Sequence, residues 1–224
     1  LKAGLQRTAG AIYNPPGYAF DFTAKPGTVS DGWTGKPGST SPEAIEKWAQ
    51  ERIDPFLKAG FKAEDIAAYA LSDEPGWYFP LWIRALPESS TGLQQFHDYL
   101  RAQGLTPPDL GAADWEQVRP LGRTQATDLP SRRLFYWTPR FFAWASAQHF
   151  ANVTRALERA AWPNMPILTN WNNFSGRLYS PGPSGNNPDK TSPDAAMGGH
   201  DWLEFGRLRG TTMMWTEDWF PDAS

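Results

Sequence analysis

Short apolar runs alternate with segments of helical periodicity along this chain of 224 residues. The apolar runs have the length of buried strands and lie at 9–14, 66–71, 165–171 and 211–215. The segments with apolar residues at helical spacing lie at 42–60, 91–103, 139–161 and 201–208. Because the two patterns take turns, the sequence predicts a parallel α/β sheet whose strands are joined by helices.

Residues with strong end preferences set the predicted helix boundaries. Ser41 is a preferred N-cap, Pro42 suits the first helical position, and Gly60 is a typical residue just past a last turn. Pro139 is likewise expected at the start of the long helix, which Pro163 stops. The stretch before that helix is expected to be irregular, with one short helical turn near 112–119.

Polar and aromatic residues follow each predicted strand. These candidate substrate-binding or catalytic residues are Tyr13 and Asn14, then Asp73, Glu74 and Trp77, then Asn170, Trp171 and Asn172, and finally Trp215, Glu217 and Trp219. In parallel α/β folds, the carboxyl ends of the strands share one edge, where ligands and catalytic groups collect.

Several such strand ends in a row are typical of the (β/α)₈ TIM barrel. Only about four strands are visible, whereas a closed barrel needs eight. We therefore expect a partial barrel, forming a single catalytic-type domain over residues 1–224 that is truncated at both ends. The first residues contain no Met and no apolar signal-peptide core, so no compartment is assigned.

Composition excludes several classes of function. The formal net charge of -3 gives no electrostatic footprint for nucleic acid, and no apolar run has the length of a membrane span. The chain has no Cys, and its three His are too scattered for a metal site of typical spacing. We therefore expect no metal, no cofactor, no nucleic acid and no membrane as partners.

Glu74 is the leading catalytic candidate because it follows a strand and lies close to Trp77. An aromatic wall excludes water and raises the pKa of a carboxyl group, which can then protonate a leaving glycosidic oxygen. The alternative is a carboxylate that caps a turn or helix. Asp73 has the same alternative, or could pair with a nearby Arg.

Glu217 is the second carboxylate candidate. A retaining glycosidase holds its two carboxyl groups about 5–5.5 Å apart, so Glu217 facing Glu74 at that distance would be a nucleophile. The alternative is a substrate or structural contact.

The chain also has 12 Trp, and flat aromatic faces suit the apolar faces of sugar rings, while Asn amides suit sugar hydroxyls.

Several motifs, in this order, resemble glycoside hydrolase family 42, a clan A family of TIM-barrel β-galactosidases. The similar residues span roughly 60–220 and comprise Glu74, the segment 96–101, Trp115, the segment 141–159, the segment 166–171, Asp201-Trp202 and the segment 214–219. The resemblance implies a retaining glycosidase with Glu74 as acid/base at the fourth strand. It also implies a nucleophile on the seventh strand, beyond residue 224. Asp73 departs from the Asn that this clan usually carries there.

Asp73-Glu74-Pro75 is also similar to the motif of family 123 N-acetyl-galactosaminidases. That resemblance implies that Asp73 orients the substrate's acetamido group, which attacks in place of an enzyme nucleophile, while Glu74 protonates the leaving oxygen.

The sequence therefore predicts a glycoside hydrolase that cleaves a β-glycosidic bond of an oligo- or polysaccharide. A substrate-assisted hexosaminidase, a non-catalytic carbohydrate-binding domain and a general α/β domain with a Trp-rich core remain as alternatives.

Overall fold

The computed structural model describes residues 7–9, 42–73, 86–172, 201–214 and 216–217. The helices are α1 (Pro42–Lys58), α2 (Ser90–Ala102), α3 (Leu129–Ala160) and α4 (Trp202–Leu208). The strands are β1 (Arg7–Ala9), β2 (Ile66–Asp73), β3 (Ile167–Asn172) and β4 (Thr216–Glu217). Among the described residues, no helix is both long enough and apolar enough to cross a membrane.

The ends of α1 and α2 follow the predicted pattern. Pro42 opens α1, and Gly60 just beyond its end has a φ of +79°, a conformation that glycine adopts without strain. At the start of α2, the Ser89 side chain accepts a hydrogen bond from the Gly92 backbone N–H at 3.0 Å. The predicted helical segments 42–60 and 91–103 are therefore confirmed to within two residues at each end.

The start of α3 is a correction. The helix begins at Leu129, ten residues before the predicted start, and Pro139 lies inside it. Asp128 caps this end: its carboxylate accepts from the Ser131 backbone N–H at 2.8 Å, and the Ser131 hydroxyl accepts from the Asp128 N–H. This reciprocal cap, with Pro130 in the first turn, outweighs the helix-breaking tendency of Pro139.

The four strands form one parallel sheet in the order β1-β2-β3-β4. A helix lies in each connection along the chain. The position of the fourth strand is a second correction, because residues 211–214 are not a strand and β4 begins at Thr216. Of the predicted first strand at 9–14, only Ala9 is among the described residues, and it is the last residue of β1.

The prediction of a (β/α)₈ TIM barrel, closed or partial, is wrong. Most of the described residues are helical, and only β2 and β3 are longer than three residues. A barrel requires eight strands, each paired on both sides. The error has a physical reason: alternating strands and helices with polar strand ends are common to all parallel α/β sheets and do not fix the number of strands.

One cluster of buried side chains joins the helices to the sheet. The ring centroids of Phe96 and Phe141 are 5.0 Å apart, and those of Phe150 and Phe205 are 5.5 Å apart. Tyr69 and Ile167 contribute from the two long strands. The predicted apolar stripe of the long helix is buried throughout and is confirmed; it comprises Phe142, Ala145, His149, Val153 and Leu157.

Candidate functional site

Three adjacent parallel strands end at one edge of the sheet and bring four of the predicted polar residues side by side. Asp73 at the end of β2 is the register partner of Asn170 in β3. Asn172 at the end of β3 is the register partner of Glu217 in β4. Neighbouring strands lie about 4.8 Å apart, so each pair is adjacent across the ladder. We refer to these four residues as the strand-end cluster.

An irregularity in the ladder sets the position of Asp73. Ala70 pairs with Leu168, but Ser72 pairs with Thr169, so β2 has one residue more than β3 between these pairs. With regular pairing, Asp73 would lie one residue further along β3, and its pleat position would change face. The extra residue therefore brings Asp73 level with Asn170. Such bulges often lie beside active sites.

The register gives the strand-end cluster a regular spacing. Asn170 and Asn172 are two residues apart in β3, which is the repeat of a strand, and each has an acidic register partner. Trp171, which lies between them in β3, is the register partner of Thr216. From the strand spacing and rise, the Cα atoms of Asp73 and Glu217 are about 12 Å apart.

The remaining predicted site residues are not among those that the structure describes. They are Tyr13, Asn14, Glu74, Trp77, Trp215 and Trp219. The structure therefore brings Asp73, Asn170, Asn172 and Glu217 to neighbouring positions on three strands.

The two described histidines are structural. His97 is buried beside Trp115, and its Nε2 lies 2.9 Å from the Val118 carbonyl oxygen; burial lowers the pKa of His97. Burial lowers the pKa of His149 to about 4, so both imidazoles are neutral near pH 7. The described ranges contain no group of three or more His, Cys, Asp or Glu side chains that could hold a metal ion.

A concave surface in the helical layer was missed by the sequence reasoning. It lies between α2, α3 and α4 and includes Tyr99, Trp137 and Trp144. A signal for it exists in the sequence. Trp137 and Trp144 are seven residues apart, which is two helical turns and therefore one face. That signal was hidden because the long helix was expected to start only at Pro139.

Comparison with models of known protein families, with curated proteins and with solved structures found no match to this chain.

Proposed function

We propose that the chain is a glycoside hydrolase whose substrate binds at the carboxyl edge of the sheet, with Glu74 as general acid/base. The observation that supports this most is the strand-end cluster, which brings two acidic and two amide residues to neighbouring register positions on three parallel strands. This combination of carboxylates and amides suits a sugar, whose hydroxyls both donate and accept hydrogen bonds.

The chemistry requires an acid and a second group on the other side of the glycosidic bond. Glu74 follows Asp73 directly, and its carboxyl proton would pass to the leaving oxygen as the bond from that oxygen to the anomeric carbon breaks. Glu217 in β4 lies two strands from β2, and this separation leaves room for a sugar ring between Asp73 and Glu217. Its carboxylate would attack the anomeric carbon or activate a water molecule.

A substrate-assisted hexosaminidase is the second candidate, and the register of Asp73 with Asn170 favours it. An acetamido group held between a carboxylate and an amide would be oriented for attack on the anomeric carbon, with its N–H donated to Asp73. No enzyme nucleophile is then required, and Glu217 becomes a binding residue.

The test compares Glu74→Gln with Glu116→Gln, a matched control at an exposed position in a short 3₁₀ helix. Rates are measured on a β-linked disaccharide, which has a poor leaving group, and on the corresponding 2,4-dinitrophenyl glycoside, which has a good one. Loss of general acid catalysis should reduce the disaccharide rate by roughly a hundredfold or more and the dinitrophenyl rate much less. Glu116→Gln should leave both rates unchanged.

Two further variants distinguish the mechanisms. A nucleophilic Glu217 predicts that Glu217→Gln reduces activity on galactosides, whereas substrate assistance predicts that Asp73→Asn reduces activity on 2-acetamido substrates while Glu217→Gln has little effect. A disaccharide rate that is unchanged by Glu74→Gln would refute the assignment of Glu74. Sugar binding at the sheet edge without turnover would favour a carbohydrate-binding domain instead.

A further inference from the structure

A cleft of about 320 Å³ opens between α2, α3 and α4, and aromatic, polar and charged side chains line it. Tyr99 comes from α2, and Trp137 and Trp144 come from α3. All three are partly exposed, although the adjacent core buries other aromatic rings completely. The volume lies at the lower end of the range for small-molecule sites and suits a ligand of one or two sugar rings.

Tyr99, Trp137 and Trp144 form what we call the aromatic wall of the cleft, and the hydrophobic core packs behind it. The ring centroids of Tyr99 and Trp144 are 5.3 Å apart with an interplanar angle of 37°, and the fully buried Phe141 lies 5.5 Å from Tyr99 and 6.1 Å from Trp144. Side chains that are already packed lose little freedom when a ligand binds, so the wall is preorganised for stacking.

The charges that line the cleft balance. Arg140 and Arg207 are cationic, and Asp201 and Glu204 are anionic. The Arg207 guanidinium donates to Glu204 at 2.6 Å, and the Asp201 carboxylate accepts from the Leu203 backbone N–H at 2.9 Å. The four charges sum to zero, so they give no net attraction to an anionic or a cationic ligand. Binding of a neutral ligand does not depend on such an attraction.

The polar groups of the cleft can both donate and accept hydrogen bonds. Burial, together with the nearby Glu204 carboxylate, raises the pKa of Tyr99 to about 12, so its hydroxyl stays protonated and serves in both roles. The exposed Gln103 supplies an amide at the rim. Sugar hydroxyls need partners of this kind.

From these features we infer that the cleft binds a neutral sugar residue, whose ring stacks on the wall at Trp144 and whose hydroxyls bond to Tyr99 and Gln103. None of the strand-end cluster lines this cleft. The cleft is therefore a second binding site, and sugar binding there does not depend on hydrolysis at the sheet edge.

The first experiment uses ligands matched in size but not in charge. Wild-type protein is titrated by saturation-transfer NMR with methyl β-glycosides of galactose, glucose and N-acetylglucosamine, and then with galacturonic acid and galactosamine as anionic and cationic counterparts. At least one neutral glycoside should bind about fivefold more tightly than galacturonic acid and galactosamine do. No binding by any neutral glycoside, or tighter binding of a charged sugar, would overturn the inference.

The second experiment changes the wall. Trp144→Ala should weaken binding of the neutral glycoside by about tenfold or more, whereas Trp162→Ala, at a partly buried Trp outside the cleft, should not. Because Trp144→Ala could disturb folding, Gln103→Trp provides a second test. Gln103 is exposed, so a large side chain there should fill the cleft and abolish binding while the circular dichroism spectrum stays unchanged.

The binding assay is kept separate from turnover. Glu74→Gln should retain sugar binding in the cleft whether or not the chain hydrolyses glycosides. Binding that Glu74→Gln or Asp73→Asn abolishes, and that Trp144→Ala and Gln103→Trp leave unchanged, would place the sugar at the sheet edge and overturn the second site.

Discussion

In the helical layer, the groups that fix each helix end are near neighbours in sequence, whereas at the carboxyl edge of the sheet residues far apart in sequence lie side by side. Asp128 and Ser131 cap α3 across three residues. Asp73 and Asn170, in contrast, are register partners although 97 positions separate them along the chain. The helices are therefore determined locally and then packed, and the sheet edge exists only once distant segments have met.

This difference separates the helical core, which supplies much of the stability, from the sheet edge, where we propose the site. The helices bury most of the large apolar side chains, including Phe141, Phe150 and Leu157, and so supply much of the hydrophobic stabilisation. The short strands β1 and β4 each pair with one long strand, β1 with β2 and β4 with β3. Changes in the helical core should therefore lower global stability, while changes at the sheet edge should act on the site with smaller global effects.

The largest expected effect is in the helical core. Leu157→Ala removes a fully buried side chain from α3 and should lower the free energy of unfolding by about 2–5 kcal/mol. The matched control is Leu129→Ala in the same helix, where the side chain is 71% exposed and the change should stay within about 0.5 kcal/mol. Urea unfolding followed by circular dichroism measures both. Equal effects would contradict the assignment of the core to this face of α3.

The next effect is a pH dependence from His149 within the same core. Burial lowers the pKa of His149 to about 4 from 6.5, so between these values the unfolded chain takes up a proton that the folded chain does not. The stability that the neutral His149 contributes is complete above 6.5, the pKa of this group in the unfolded chain, and is lost as the pH falls towards 4. It amounts to about 3 kcal/mol.

His149→Leu removes this titration and places an apolar side chain of similar size at the same position. The free energy of unfolding, measured at several values between pH 7 and pH 4, should decline less steeply in the variant than in the wild type. The comparison of slopes cancels carboxylates that titrate in both proteins. Identical slopes would mean that the imidazole is not buried in its neutral form.

At the sheet, Thr212 holds β3 and the segment before β4 together. Its hydroxyl accepts from the Ile167 backbone N–H at 2.7 Å and donates to the Met165 carbonyl at 2.6 Å. The Thr212 backbone N–H in turn donates to the Ile167 carbonyl at 3.0 Å. This clamp lies at the amino end of β3, and it orders the chain shortly before Glu217 enters the sheet.

Thr212→Val should cost about 1–3 kcal/mol because the buried Ile167 N–H loses its partner. Hydrogen exchange should accelerate at Ile167 and Met213 well before it does in α3. Thr124→Val, at an exposed position in a 3₁₀ helix, is the control and should be nearly neutral. Exchange that accelerates equally in α3 and in the sheet would show that the two regions open as one unit.

The same contrast explains how much could be predicted from sequence. The start of α1 at Pro42, the helical segment 91–103 and the buried stripe of α3 follow from local preferences and periodicity. The polar strand ends were correctly located at Asp73, Asn170 and Asn172. The failures depend on distant contacts. The segment 211–214 has strand-forming residues but is fixed by the side chain of Thr212.

The number of strands and the register of Asp73 were also beyond sequence reasoning. An alternating pattern reports that strands and helices take turns, but strand closure depends on pairing that no local signal encodes. The extra residue in β2 changes which residue faces Asn170, and apolar periodicity cannot reveal a bulge of one residue. The cleft at Trp144 was missed because Pro139 was interpreted as a start signal rather than as a residue inside α3.

The smallest expected effect tests whether a helix end is stabilised only by residues close to it in sequence. Ser89→Ala removes the side-chain acceptor for the Gly92 N–H and should lower the free energy of unfolding by about 1 kcal/mol. Ser90→Ala, one residue later on the exposed side of the first turn, keeps the cap and should change little. Hydrogen exchange should accelerate only in the first turn of α2. If it also accelerates at Ile167, the cap of α2 contributes to the sheet, and the local description of the helical layer must be extended to include long-range packing.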